Sequence, residues 1–347
     1  MSAHVVLPGD VDDPNAPSGG NTYDRRVCAE IARLGIELRE TRIPGNWPQP
    51  DETARALLAD ALATVPDGGA VLLDGLVACG VPDVVGAHAS RLRQAILVHL
   101  PLAEETGLDP ALAARLDAAE REVLHAAAVV VATGPRAAQR LVRHHDLPPE
   151  AVRTVAPGTD PAPSAPGTDG SSRLLCVASV TPRKGHDLLV TALARLRDLP
   201  WTCDLAGPVA RDGAHARRVA ELIERHSLGD RVRLLGPLSG AALDDAYAAA
   251  DLVVQPSRAE TYGMAVTEAL ARGIPVIASA VPDALGDGGL LLPPGDADAL
   301  TEALRRWSHD ERFRSRMREA ARQRREQLPT WRSSARQLAA VLARLET

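Results

Sequence analysis

Among 39 basic side chains only one is a lysine, Lys184. A GC-rich coding bias drives lysine toward arginine, so a lysine of no consequence is expected to be lost. Lysine is a compact point charge with rotatable donors, whereas arginine is a planar fork. Lys184 stands in Val177-Ala178-Ser179-Val180-Thr181-Pro182-Arg183-Lys184-Gly185-His186-Asp187, after an apolar run and before a helical pattern that starts near Gly185. A helix N-terminus presents unpaired amides and a partial positive charge, so it attracts phosphate. A lysine at that turn adds a full charge without imposing bidentate geometry. Without this context it would read as a solvated loop residue.

The second grouping is Glu260-Thr261-Tyr262-Gly263-Met264-Ala265-Val266-Thr267-Glu268. Its carboxylates are eight residues apart, just over two helical turns. That spacing predicts one acid at a cleft rim and the other on the same helical face. Carboxylates accept hydrogen bonds from sugar and ribose hydroxyls, and Gly263 allows backbone amides to come close to a ligand. Taken singly, Glu260 is an ordinary helix N-terminal acid and Glu268 an ordinary helical glutamate. Together with the lysine they predict a site for a ligand carrying both phosphates and hydroxyls.

The elements that must position these residues follow from periodicity. Short apolar runs at 4–8, 70–76, 94–100 and 128–133 read as strands. Amphipathic stretches at 22–34, 53–64, 110–125 and 135–145 read as helices. Alternation of this kind implies a parallel sheet covered on both faces. A segment rich in Pro, Gly and Ser, 159–172, has no hydrophobic period and reads as a linker. The alternation then restarts, with strands at 174–180, 202–206, 232–236, 252–256, 275–279 and 290–292. Helices are expected at 185–196, 215–226, 243–250, 262–272 and 297–307, then at 311–327 and 331–346. The fold class is therefore α/β, two doubly wound domains with a cleft between them, and ligands at the carboxyl ends of the strands.

Composition narrows the function. Apolar residues make up 45% of the chain with a single Phe, so the core must be aliphatic. No apolar run has the length of a membrane span, and the N-terminus carries no signal-peptide pattern. Cys28, Cys79, Cys176 and Cys203 are scattered among apolar residues, as buried free thiols of a reducing cytoplasm would be. Residues 1–158 hold 14 Arg against 21 Asp and Glu. That acidity disfavours docking on nucleic acid or anionic lipid. His144-His145-Asp146 is expected to be a solvated helix end rather than a metal site, because no second ligand cluster accompanies it.

Residues 173–300 resemble the donor domain of retaining GT-B glycosyltransferases, in particular family GT4. Lys184-Gly185, the Glu260/Glu268 pair, Ala271 to Val276 in an Ala-x-Gly-x-Pro-Val pattern, and Pro293-Pro294-Gly295-Asp296 carry the resemblance. Upstream, Ser18-Gly19-Gly20 resembles the family's glycine loop and His99 its sugar-facing histidine. Pro157-Gly158-Thr159-Asp160 resembles its hinge, and Trp331 the start of the helix that returns to the first domain.

The resemblance implies two Rossmann-like domains facing a central cleft. These are an acceptor-side domain over 1–158, the linker at 159–172, a donor-binding domain over 173–328, and a crossover helix over 329–347. It implies that Lys184 binds a donor diphosphate, which the adjacent Arg183 shares only if it points the same way, and that Glu260 holds the transferred sugar. The amides of Tyr262, Gly263 and Met264 would cap sugar and phosphate, and Glu268 would take the nucleotide ribose. Gly19 and Gly20 would reach the phosphates, and His99 would touch the sugar. The partners implied are a UDP-, GDP- or dTDP-sugar and a small-molecule acceptor, with no cofactor and no metal. One position departs from the pattern: Ser179 stands where the family often has arginine, which puts more of the diphosphate on Lys184. The competing readings are a nucleotide-sugar epimerase, a phosphorylase with pyridoxal phosphate on the single lysine, or a non-catalytic nucleotide-sugar-binding partner.

Overall fold

A computed structural model describes residues 2–13, 18–105 and 107–346. The chain forms two compact units: Met1–Gly158 with Pro329–Thr347, and Thr159–Leu328.

The first unit is a six-stranded parallel sheet in the order β2-β1-β3-β4-β5-β6. Its strands are β1 (Ser2–Pro8), β2 (Glu37–Ile43), β3 (Ala70–Asp74), β4 (Arg93–Val98), β5 (Val129–Ala132) and β6 (Val152–Thr154). All residues of β3 and β5 are buried, as expected for strands covered on both faces. The edge strand β2 is absent from the sequence-based expectation. It reads Glu37-Leu38-Arg39-Glu40-Thr41-Arg42-Ile43, and only Ile43 is buried. A charged edge strand lacks the apolar run that marks an interior one, and that charge guards it against pairing with other chains.

The last helix, Trp331–Glu346, belongs to this first unit. Trp331, Ala335, Leu338, Ala339 and Leu342 are buried, a stripe at helical spacing. It packs on the helix Gly19–Arg33, where the Tyr23 and Trp331 rings meet edge-on at 6.0 Å. Ser334 Oγ donates to the Ala156 carbonyl at 2.7 Å. Burying each large apolar side chain contributes roughly 1.5–3 kcal/mol, so this face accounts for the helix docking here.

The second unit holds β7 (Arg173–Val177), β8 (Thr202–Ala206), β9 (Val232–Gly236), β10 (Leu252–Gln255), β11 (Val276–Ser279) and β12 (Gly289–Leu292). They form one parallel sheet in the order β12-β11-β10-β7-β8-β9. Its aliphatic core is closed by Trp201, Trp307 and Phe313.

The segment expected as a linker is fastened to this second unit by Trp307, Arg318 and Arg325, which donate to the Ser171, Gly170 and Ala162 carbonyls, and most densely by one carboxylate. Asp251, just before β10, accepts from the Thr168 amide at 2.7 Å, the Thr168 hydroxyl at 2.6 Å, the Gly170 amide at 3.1 Å and the Arg173 amide at 3.0 Å. Leaving buried donors unpaired costs about 1–3 kcal/mol each. Asp251→Ala is therefore expected to destabilise the second unit by about 2–4 kcal/mol and to open residues 164–172 to proteolysis. Urea unfolding and limited digestion measure both, and an unchanged digestion pattern would contradict this role.

Candidate active site

In the second sheet the strand order reverses between β7 and β10. Open α/β sheets bind ligands in the crevice at the carboxyl ends of strands flanking such a reversal. The loop leaving β7 carries Arg183 and Lys184; the loop leaving β10 carries Ser257, Arg258 and Glu260. Topology thus brings together residues 76 apart in sequence.

Lys184 Nζ lies 2.5 Å from Glu260 Oε1, and Arg183 Nη1 lies 3.1 Å from Glu260 Oε2. Ser257 Oγ donates to Glu260 Oε1 at 3.0 Å. The Glu260 side chain is 5% exposed, whereas Lys184 and Arg183 keep 17% and 18%. The carboxylate is thus the buried floor of the cluster and the two cations are its accessible face. Burial alone would raise the Glu260 pKa, but Lys184 and Arg183 outweigh it and hold the group below its ordinary value. Burial lowers the Lys184 pKa and the Arg183 charge adds to that, with Glu260 opposing.

Two features fix the turn. Gly185, with φ +72°, is the left-handed cap between the short turn Pro182–Lys184 and the helix His186–Ala194. A Cβ there would overlap the Pro256 carbonyl oxygen, so only glycine lets the two loops approach. The Arg258 amide donates to the Arg183 carbonyl at 2.8 Å. Its guanidinium donates to the Pro182 carbonyl at 2.6 Å and to both oxygens of Asp187 at 2.8 and 2.7 Å. Arg258 and Asp187 escaped the sequence reading. In a chain where arginine is the rule, nothing marks one arginine as a clamp.

The glutamate pair differs from the expectation. The helix is Met264–Ala271, so Glu260 lies outside it and helical periodicity does not set the eight-residue spacing. Lys184 meets Glu260, whereas Glu268 is bonded elsewhere: Tyr247 Oη donates to Glu268 Oε2 at 2.9 Å. Burial raises the Glu268 pKa, with Tyr247 and Arg272 opposing. The Arg272 guanidinium covers the Tyr247 ring at 4.5 Å, donates to the Glu268 carbonyl at 3.0 Å and pairs with Asp244. Tyr247 and Ser257 were not singled out from sequence, since each is ordinary where it stands. Gly263 caps the helix at φ +105°, and a Cβ would stand 2.6 Å from Val281 Cγ1. The Tyr262 side chain is turned inward and buried, so its backbone is what it can offer a ligand. Met264 opens the helix, whose first amides have no helical acceptor.

In the first sheet the order reverses between β1 and β3. Gly19 and Gly20, expected in a loop, are the first two residues of the helix Gly19–Arg33, capped by Ser18 accepting from the Asn21 amide at 3.0 Å. His99 follows β4, and a Cβ on Gly20 would stand 3.2 Å from its ring. His99 Nε2 is 2.9 Å from Asp24 Oδ1 and 3.9 Å from Asp74 Oδ2. Tyr23 packs edge-on against the imidazole at 5.2 Å between ring centres. Asp74 closes the wholly apolar run Ala70-Val71-Leu72-Leu73, a readable signal that the sequence reading passed over. Asp24 sits one turn into a helix and carried no such mark.

Of His144-His145-Asp146, expected as a solvated helix end, His144 and Asp146 are exposed there and only His145 departs from the expectation. His145 is fully buried and faces the buried Glu120 at 3.2 Å, while His144 lies 2.5 Å from Asp117. Asp146 ends the helix Pro135–His145 in a left-handed turn at φ +56°. Cys28, Cys79, Cys176 and Cys203 are buried free thiols. No helix among the described residues is long and apolar enough to cross a membrane.

Residues 164–324 match the family Glycosyl transferases group 1. That stretch lies within the second unit, which is similar to this family. The D-inositol 3-phosphate glycosyltransferase of Kineococcus radiotolerans is 29% identical over 366 residues, covering 86% of this chain and 84% of that protein. The protein of the same name from Kribbella flavida is 33% identical over 225 residues, covering 58% of this chain and 53% of its own. The chain thus spans about half the length of the Kribbella relative. Among solved structures, sucrose-phosphate synthase (tll1590) from Thermosynechococcus elongatus superposes with a TM-score of 0.80 at 24% identity, covering 99% of both chains. Anabaena Alr3699/HepE in complex with UDP-glucose gives 0.77 at 19%, covering 99% of this chain and 100% of that one. These likenesses establish the GT-B glycosyltransferase fold, two Rossmann-like units, that the resemblance implied.

Proposed function

We propose that this chain is a retaining glycosyltransferase that moves a sugar from a nucleotide-diphosphate sugar to a small soluble acceptor in the cytoplasm. The observation that carries this reading is the cluster at the β7/β10 reversal: two cations, 17% and 18% exposed, resting on one buried carboxylate. A diphosphate docking there meets two positive charges already desolvated and held in place, so its binding costs little reorganisation. Lys184 and Arg183 then take the charge that grows on the leaving diphosphate. Glu260 serves as the acceptor for sugar hydroxyls, and the amides at 262–264 cap the sugar and phosphate.

Glu268, held by Tyr247, accepts from the ribose. Gly19 and Gly20 offer the amides of a helix start to the phosphates, and His99 contacts the sugar. Retention fits same-face departure and attack, with the leaving phosphate accepting the acceptor's proton. In this reading neither a metal nor a cofactor takes part. HepE has been solved with UDP-glucose, and the bacterial relatives are named for a small phosphorylated acceptor; both favour the substrate classes proposed.

A thermal-shift screen against UDP-, GDP- and dTDP-sugars tests the reading. One nucleotide class is expected to raise the melting temperature by several degrees, since ligand at 100 times Kd adds about 2.7 kcal/mol. Absence of stabilisation by all three would sink it.

A further inference from the structure

The geometry points to Asp24 as a positioning residue that fixes His99 as an imidazolium, its Nε2–H spent on Asp24 and its Nδ1–H left to donate to a ligand oxygen, with Asp74 completing the cluster. The identity of that ligand rests on the transferase reading; the state of the ring does not.

Three sides of the ring are occupied. Asp24 Oδ1 holds Nε2 at 2.9 Å, Gly20 backs the Cγ–Cδ2 edge, and Tyr23 closes a third side with its own hydroxyl spent on the Val155 carbonyl at 3.0 Å. The histidine side chain still keeps 17% exposure. No described residue hydrogen-bonds Nδ1, so the Nδ1–Cε1 edge is the one left to solvent or ligand.

Charge decides what that edge offers. A neutral ring donating from Nε2 would present a lone pair at Nδ1, suited to a hydroxyl donor. An imidazolium presents a cationic N–H, suited to a phosphate or other electron-rich oxygen. Asp24 and Asp74 are 1% and 3% exposed, and Asp24 Oδ2 is buried without a hydrogen-bond partner. The charged groups bearing on the imidazole are these two carboxyls, from the helix Gly19–Arg33 and from the end of β3. Burial alone would push the His99 pKa down, but Asp24 and then Asp74 outweigh it and hold it up at about 9. Asp74 is itself pushed up to about 8, by burial first and then by the charge of Asp24, with His99 opposing. Because the histidine is raised, its cation is present throughout the neutral range and is lost only as pH climbs through about 9.

Nitrogen-15 NMR of the imidazoles in the full chain tests this without any substrate. Both His99 nitrogens are expected to carry protons at about pH 7.5, in the free protein. Asp24→Asn keeps the side-chain shape and removes the charge. It is expected to move the His99 titration to lower pH, and to move the alkaline fall of kcat to lower pH with it. Asp74→Asn, which can still accept from the Leu76 amide, is expected to lower the titration less. It covers the case in which the Asp24 variant does not fold. A neutral His99 at about pH 7.5 in the native chain, or a titration unmoved by both substitutions, would overturn the proposal. Normal titration with no transfer activity would instead count against the transferase reading alone.

Discussion

Lys184→Ala is expected to lower transfer by about 10²–10³-fold, the loss seen when one preorganised charge-stabilising donor is removed. Lys184 is the chain's only lysine and stands where the strand order reverses. The loss should fall mainly on kcat, because the charge on the departing diphosphate grows in the transition state. The fold should survive, since Arg183 still reaches Glu260 at 3.1 Å and keeps the buried carboxylate paired. Steady-state kinetics with a saturating donor, alongside thermal melting, separates the two effects. Lys184→Arg should not rescue, because a planar fork does not reproduce the point charge that Lys184 sets on Glu260. Turnover close to that of the native chain would remove Lys184 from the mechanism.

Glu260→Ala is expected to behave in the opposite sense and to strike stability first. It strips the shared carboxylate from two cations, and breaking a buried ion pair by removing one partner costs about 3–5 kcal/mol. The second unit should lose about that much in urea unfolding, together with any grip on the sugar. Glu260→Gln, which can still accept from Ser257, should recover part of the stability and little of the activity. In a double-mutant cycle with Lys184→Ala the effects should be non-additive by about 0.5–3 kcal/mol. Additive effects would mean that the pair does not exist in solution.

Much of this was legible in the sequence because the signals are local. A buried parallel strand is a short apolar run, and so β3, β4, β5 and the strands of the second unit were found near their observed places. The edge strand β2 and the three-residue β6 were not. One is charged, the other too short to show a pattern. Lys184, Glu260 and Gly263 were readable from residue type and turn chemistry. Arg258, Tyr247 and Asp24 were not, because their importance lies in what they touch.

The sequence by itself determined the fold class, the two Rossmann-like units, and the residue types available for chemistry. Hydrophobic period, glycine-dependent turns and a solitary lysine are properties of neighbours along the chain. Only the tertiary structure decided partnerships. It set Lys184 and Arg183 on one glutamate and turned the other toward Tyr247. It also buried two carboxyls beside His99. The physical reason is that charge pairing and desolvation depend on distance in space, and the strand order, not the spacing along the chain, fixes which loops emerge side by side.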